Sequence, residues 1–363
     1  MVRYSSLVLA LCLVQANAFQ PLKKQTTNTA PPSLDASILD RTSDSPVTAT
    51  KDFFGRYNPL SSSFFSPPVE TEVGVVTSPQ QALSQQQPQV FNPTDLDLSQ
   101  VSNIYTPAQA FESLVQKGEY NANASVVKTL FSSVLGGCYV GMGAMLSLAV
   151  AGNSPGIAMS DPGLQKFIFG ALFPVNLLLT LQAGGQLYTG NTANMMAAFC
   201  EGRVSMNDLA RSWGLSWVGN LIGCGTFALA CKYAGVLEGG AGNLAAGVLA
   251  TKTSYELGPL LVKAMFCNWL VCLAVFLSMQ AKDMGGKYLA IWLPVSTFVS
   301  IGFEHSVANM FLLPAGLLST KDITLQTALL HNLLPVTVGN AISGSLFVGA
   351  AMSFMYGKLG EDK

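Results

Sequence analysis

Charge is scarce in this 363-residue chain: Asp, Glu, Lys and Arg make up 11% of it, against 50% hydrophobic residues and a positive mean hydropathy. Histidine occurs twice. Those shortages exclude most metal chemistry and leave few carboxylates for paired acid–base work. A net charge of −1 and a pI near 6.1 give no electrostatic basis for binding nucleic acid. The seven cysteines show neither CxxC nor metal-ligand spacing. Most of them (Cys138, Cys200, Cys224, Cys231, Cys267, Cys272) sit inside apolar runs, where cysteine acts as a small hydrophobe. No metal, cofactor or enzymatic reaction is expected.

What the chain does have is apolar length. Between Thr129 and Gly357 its charges fall almost wholly in short connections. The intervening runs are long enough to cross a hydrocarbon core of ~30 Å, which takes about 20 helical residues. An all-α polytopic membrane protein with six crossings is expected, at roughly 129–152, 167–199, 212–231, 264–281, 287–318 and 324–356. The second and fifth are each interrupted by a polar segment ending in one tripeptide, Ala193-Asn194-Met195 and Ala308-Asn309-Met310. The third and sixth share a second pattern, Val218-Gly219-Asn220 and Val338-Gly339-Asn340. The two patterns recur 115 and 120 residues apart, so two units of three crossings repeat. An odd number of crossings per unit forces opposite orientations. An inverted repeat with two broken helices places its site near mid-membrane, where irregular backbone is tolerated only if it is packed in protein or lines a cavity.

Six crossings put both termini on one side. Lys117, Lys128, Arg203, Arg211, Lys282, Lys287, Lys358 and Lys363 flank that side, against Lys166, Lys232, Lys252, Lys263 and Lys321 opposite, which favours termini inside, in cytoplasm or stroma. Before the crossings, residues 1–20 read as a signal peptide and 21–105 as a disordered, Ser/Thr-rich, transit-like presequence. The junction Ala18-Phe19-Gln20-Pro21 resembles the cleavage motif of presequences addressed to secondary plastids. A plastid inner-envelope destination is favoured, with the plasma membrane as the alternative. Thr106-Pro107-Ala108-Gln109 is a capping box opening an amphipathic helix over 106–120, with Phe111, Leu114, Val115 and Ala108 on one face and Gly118 as a stop. It reads as a lead-in, with a gate as the sharper alternative. The six-helix domain spans 129–357 and a tail 358–363.

Glycine pairs Gly137/Gly141 and Gly219/Gly223 have the spacing of close helix contacts, and Gly239-Gly240-Ala241-Gly242 reads as a flexible loop. Glu304 and His305 are the only ionisable groups in an otherwise apolar crossing, where a charge at mid-depth costs about 2.5–3.5 kcal/mol, so they are read as functional. An imidazole there can hand over a proton or lend its N–H to a passing anion.

The run Gly302-Phe303-Glu304-His305-Ser306-Val307-Ala308-Asn309-Met310-Phe311 resembles the central signature of the formate/nitrite transporter family. Leu333-Leu334-Pro335-Val336-Thr337-Val338-Gly339-Asn340 resembles its last-helix signature, and Asn268-Trp269-Leu270-Val271-Cys272-Leu273-Ala274 its fourth helix. The resemblance implies an aquaporin-like protomer within a homopentamer in the bilayer, each protomer passing small monovalent anions or their conjugate acids. It further implies that Thr189 faces His305 in a transport centre with Glu304; Asn194 and Asn309 are read as part of that centre, either contacting substrate or holding the two breaks together through their amides. Constrictions fall at Phe173, Leu177, Phe298 and Tyr188, where the family's phenylalanine is replaced by a residue with a polar tip, and Lys252 draws anions to a pore mouth. Nitrite import into a plastid is the favoured function. A plasma-membrane formate or lactate carrier is the alternative. A neutral-solute pore is a weaker one, because the chain has no Asn-Pro-Ala pair.

Overall fold

A computed structural model describes residues 104–361, so the signal-peptide reading of 1–20 and nearly all of the presequence reading of 21–105 lie outside the described residues. Helix α1, Pro107–Asn123, starts at the expected capping box: Gln109 N–H donates to Thr106 Oγ1 and Thr106 N–H to Gln109 Oε1. Its buried face carries Ala110, Phe111, Leu114 and Val115, with Ala110 in the place expected of the exposed Ala108. Gly118 does not stop the helix. It lets α1 press onto a later helix, since a Cβ there would lie 2.2 Å from Asn194 O.

Two topologically equivalent sets of helices follow. In the first, α2 (Val126–Gly152) leads through the short α3 (Pro155–Ser160) to α4 (Pro162–Leu172) and α5 (Val175–Ala183). The kink between α4 and α5 falls at Phe173-Pro174, as proline demands. After a break come α6 (Tyr188–Cys200) and α7 (Met206–Tyr233). The second set repeats the order, with α8 (Gly239–Thr253) in the place of α1 and α9 (Leu257–Gln280) in that of α2, then α10 (Met284–Ile301), a break, α11 (Ser306–Leu317) and α12 (Leu325–Tyr356). Within α12, Leu329–Leu333 and Gly344–Ala350 are π-helical. Among the described residues, five helices are long and apolar enough to cross a membrane, and six when α10 and α11, bent by 50° at their break, count as one span. The Gly239-Gly240-Ala241-Gly242 stretch is no loop: it begins α8, and Gly240 packs against the end of α2 so closely that a Cβ would lie 2.3 Å from Gly152 O.

The breaks have the same construction. Each incoming helix ends at a glycine with positive φ, Gly184 (91°) and Gly302 (83°), a backbone state that residues with a Cβ rarely adopt. The next N–H reaches five residues back, Gly185 to Thr180 O at 2.8 Å and Phe303 to Phe298 O at 2.9 Å. Beyond that the freed backbone groups need partners from elsewhere. Asn220 of α7 accepts Tyr188 N–H at 2.8 Å and donates to Gln186 O at 2.8 Å and Ser133 O at 2.7 Å. Asn340 of α12 does the same in the other half, accepting Ser306 N–H at 2.8 Å and donating to Glu304 O at 3.0 Å and Ala264 O at 2.7 Å.

These equivalences correct the register read from the tripeptides. Both tripeptides lie inside the outgoing helices, past the breaks, and Asn309 of α11 corresponds to Asn191 of α6, one turn before Asn194. Replacing Asn220 or Asn340 by leucine orphans a buried carbonyl and a buried N–H, at a cost of about 1–3 kcal/mol for each. Asn220→Leu and Asn340→Leu are therefore expected to lower the Tm of the purified protein in detergent by similar amounts, as read by thermal unfolding.

Candidate functional site

The N-termini of α6 and α11 meet at the breaks, and the side chains there are buried. His305 caps α11 and Thr189 lies in the first turn of α6; His305 Nε2 and Thr189 Oγ1 are 3.0 Å apart. Ala308 N–H donates to His305 Nδ1 at 3.1 Å. That bond requires a lone pair on Nδ1, so in this arrangement the neutral ring carries its proton on Nε2, directed at Thr189. Thr189 Oγ1 has no other partner among the described residues, which leaves its own proton free to donate. Two N–H and O–H donors thus converge where two helix dipoles present their positive ends.

Cavities open on both sides of this pair. One, of about 530 Å³, lies on the side of α8 and reaches Phe173, Phe298, Glu304 and His305. The other, of about 50 Å³, lies on the side of α1 and is lined by Lys117, Leu177 and Leu187 among others. Phe173 and Phe298 meet edge to face at 6.5 Å and form the floor of the larger cavity, with the Phe298 ring 5.7 Å from the imidazole. Leu177 faces the smaller one. Tyr188, read as a constriction residue, lines neither cavity: its ring packs edge-on to Trp213 at 6.3 Å and its hydroxyl donates to Thr337 O at 3.2 Å. The side chain next to it, Leu187, lines the smaller cavity instead.

Glu304 is held by three side chains through four contacts. Lys252 Nζ, on α8, is 3.0 Å from both carboxylate oxygens, and Asn309 Nδ2 and Asn332 Nδ2 donate to Oε2 at 2.8 and 3.2 Å. Lys252, expected to attract anions by its field, therefore has its charge matched locally by a carboxylate that is 1% exposed. Asn309 also donates to Asn332 Oδ1 at 2.6 Å, and Asn332, sitting in the first π segment of α12, donates to Lys252 O at 2.9 Å.

The first half holds a neutral counterpart. Asn191 Nδ2 donates to Gln186 Oε1 at 3.2 Å and Ser212 Oγ at 3.4 Å, and Asn121 Nδ2 of α1 donates to Asn191 Oδ1 at 3.0 Å. Asn194, named as a centre residue, bonds only to Asn191, at 3.4 Å. Asn220 and Asn340, noted only as part of the repeat, Asn268, noted only within a motif, and Asn121, Asn191 and Asn332 were not expected at the site. Asn268 Nδ2 donates to Thr192 Oγ1 at 3.0 Å and Asn340 O at 2.7 Å, joining the two halves behind the pair. Buried asparagines at repeated positions in apolar helices were the available signal. A Gly-x-Ser-x-Gly run, Gly152 to Gly156, is no hydrolase elbow: it joins α2 to α3 in an exposed connection, where Ser154 Oγ donates to Val150 O.

The geometry has parallels in sequence and in structure. The family model for formate/nitrite transporters matches residues 108–354. A probable formate transporter of Methanothermobacter thermautotrophicus is 36% identical over 275 residues, covering 70% of this chain and 98% of that protein. The nitrite transporter NirC of Salmonella typhimurium is 34% identical over 220 residues, covering 60% and 79%. Among solved structures, an FNT family ion channel superposes with a TM-score of 0.62 at 30% identity, over 68% of this chain and 98% of that one. A pentameric formate channel with formate bound gives 0.56 at 26%, over 64% and 97%. A multi-pass helical protein with paired broken helices, matched by the family model over residues 108–354 and by these relatives over most of its described length, this chain belongs to the formate/nitrite transporter family.

Proposed function

We propose that the protein moves small monovalent anions across a membrane together with a proton, as the neutral weak acid, with nitrite as the favoured substrate and import into a plastid as the setting. The observation that carries this reading is the His305–Thr189 pair, two buried donors held between two cavities and behind apolar constrictions. An anion leaving the larger cavity meets Phe173 and Phe298 and sheds water there, which raises its affinity for a proton, taken from the water of that cavity. The neutral acid passes the rings at a lower cost than the ion. At the centre its oxygens accept from His305 Nε2–H and Thr189 Oγ1–H. The bond from Ala308 N–H supports the lending of an N–H over the handing over of a proton, since a neutral ring with one proton has none to give. His305 links passage to the proton by binding the acid at the point where it has no water.

Nitrite is supported by the likeness to the nitrite transporter NirC and by the transit-like presequence, and formate by the likeness to a probable formate transporter. A homopentamer, one pore to each protomer, is proposed on the likeness to the pentameric formate channel.

Uptake into proteoliposomes, followed by stopped-flow with a pH-sensitive dye, tests the reading with nitrite and formate compared. Both rates are expected to rise as the external pH falls. Acceleration of neutral solutes alone contradicts the proposal. His305→Ala and Thr189→Val are each expected to slow the faster substrate by about tenfold or more, the equivalent of a lost hydrogen bond to a charged or strongly polar group at ~1.5–3 kcal/mol. Thr189→Ser retains most of the rate. For Tyr188→Phe, the ratio of nitrite to formate uptake stays unchanged, because the hydroxyl serves Thr337 O, and unfolding shows a loss of about 1 kcal/mol.

A further inference from the structure

The two cavities are unequal, about 530 Å³ against about 50 Å³. A triatomic anion needs little of the larger one, whose volume lies in the range of roughly 300–1,000 Å³ found for sites that enclose organic ligands. Its wall combines aromatic faces with cations. Lys263 Nζ stands 4.3 Å from the centroid of the Tyr255 ring and donates to Gly302 O at 3.3 Å, which leaves further N–H donors of the ammonium available. Lys166, exposed at the start of α4, forms no ion pair with any described carboxylate. Glu304, the carboxylate in the lining, is already matched by Lys252. Two positive charges in this vestibule are therefore uncompensated.

Their placement has a direction. Lys166, Phe169 and Phe173 recur at the spacing of one helical face, and the rings of Phe169 and Phe173 stack at 6.4 Å. The cation thus stands at the mouth, an aromatic wall below it and the closed ring pair of Phe173 and Phe298 at the floor. Phe303 adds a further ring to the lining, next in sequence to Gly302, whose carbonyl Lys263 bonds.

We propose that this vestibule is a binding site for aromatic monocarboxylates, the ring lying between Phe169 and Phe303 and the carboxylate facing Lys166 and Lys263. Such an anion enters, binds and stops, because a planar ring system does not fit between Phe173 and Phe298. It acts from the α8 side only, since the smaller cavity on the α1 side has no room for it. Binding stands on the cavity alone, whereas the block of small-anion passage rests on the transport function proposed above.

The test uses 1-naphthoate as the probe, in two arms. Titration calorimetry on the purified full chain in detergent reads binding without any need for transport. Lys166→Gln, an exposed position with no bond to lose, and Lys263→Gln are each expected to weaken binding by about tenfold, the loss of one charge-assisted contact. Lys117→Gln, in the other cavity, leaves it unchanged. In the second arm, proteoliposomes with the protein in one known orientation take up nitrite or formate while 1-naphthoate is present on a single side. Inhibition from the α8 side, relieved in Lys166→Gln, is the expected result. Binding that ignores both lysine variants, equal inhibition from the two sides, or passage of 1-naphthoate itself overturns the proposal. Binding with the lysine dependence in a protein that passes no small anion upholds the site and removes the transport reading instead. Small-anion passage with no binding does the reverse.

Discussion

Everything at the centre of this protein depends on satisfying the backbone of two helices that stop inside the membrane. Lipid offers no partner for a free N–H or C=O, and each one left bare costs several kcal/mol. Asn220 and Asn340 meet that demand by spanning a break with one amide, accepting from the first N–H of the outgoing helix and donating to a carbonyl of the loop. A hydroxyl, with one hydrogen, could not donate to both of the carbonyls that each amide serves. The carboxylate of an aspartate would accept but not donate, so asparagine is the side chain that fits. Only with the breaks held open in this way do the N-termini of α6 and α11 face each other, and only then can His305 reach Thr189.

The repeat is symmetric in architecture and asymmetric in charge. Gln186, Asn191, Ser212 and Asn121 form in the first half what Glu304, Asn309, Asn332 and Lys252 form in the second, with an ion pair in place of two neutral amides. A buried ion pair is not in itself stabilising, because desolvation offsets much of the attraction. Glu304 therefore gains its place from the company around it: two asparagine N–H donors and both contacts of the ammonium. The first π segment contributes to that, since the extra residue in the turn brings Asn332 around to face both Glu304 and the end of α8. The result is a net-neutral cluster beside the histidine, on the side of the larger cavity only.

Much of this was legible in the residues. The number of crossings, the capping box at Thr106 and the pairing of two broken helices follow from apolar length, hydrogen-bonding residue types and repetition, all of which are local properties. The close contact of α2 with α7 was legible too: Gly137 and Gly223, flagged by spacing, are sites where a Cβ would lie 2.5 Å and 2.0 Å from backbone oxygens of the facing helix. Register was not. The tripeptides pair Asn194 with Asn309, but equivalence in three dimensions is set by distance from the break, and the break is marked by Gly184 and Gly302. An asparagine one turn along the same helix cannot be told apart by sequence from the one that matters. Tyr188 shows the same limit: its neighbour Thr189 reaches the centre, whereas which side of the turn the phenol faces depends on Trp213 and Thr337, far along the chain.

The local matching of charge also decides what kind of site the centre can be. With Lys252 neutralised by Glu304, no bare ammonium stands beside His305, and the attraction for an anion comes from partial charges: two helix N-termini, each equivalent to roughly half a unit charge, an imidazole N–H and a hydroxyl. A full positive charge in this low-dielectric setting would hold a monovalent anion tightly and slow its departure. Partial charges hold it less, so on the proposed function the substrate can leave toward either cavity. The uncompensated lysines, exposed Lys166 and half-buried Lys263, line the larger cavity, where their field can raise the local concentration of anions. Positive charge outside and dipoles inside are the order that passage requires, since binding must be favourable enough to enter and weak enough to leave.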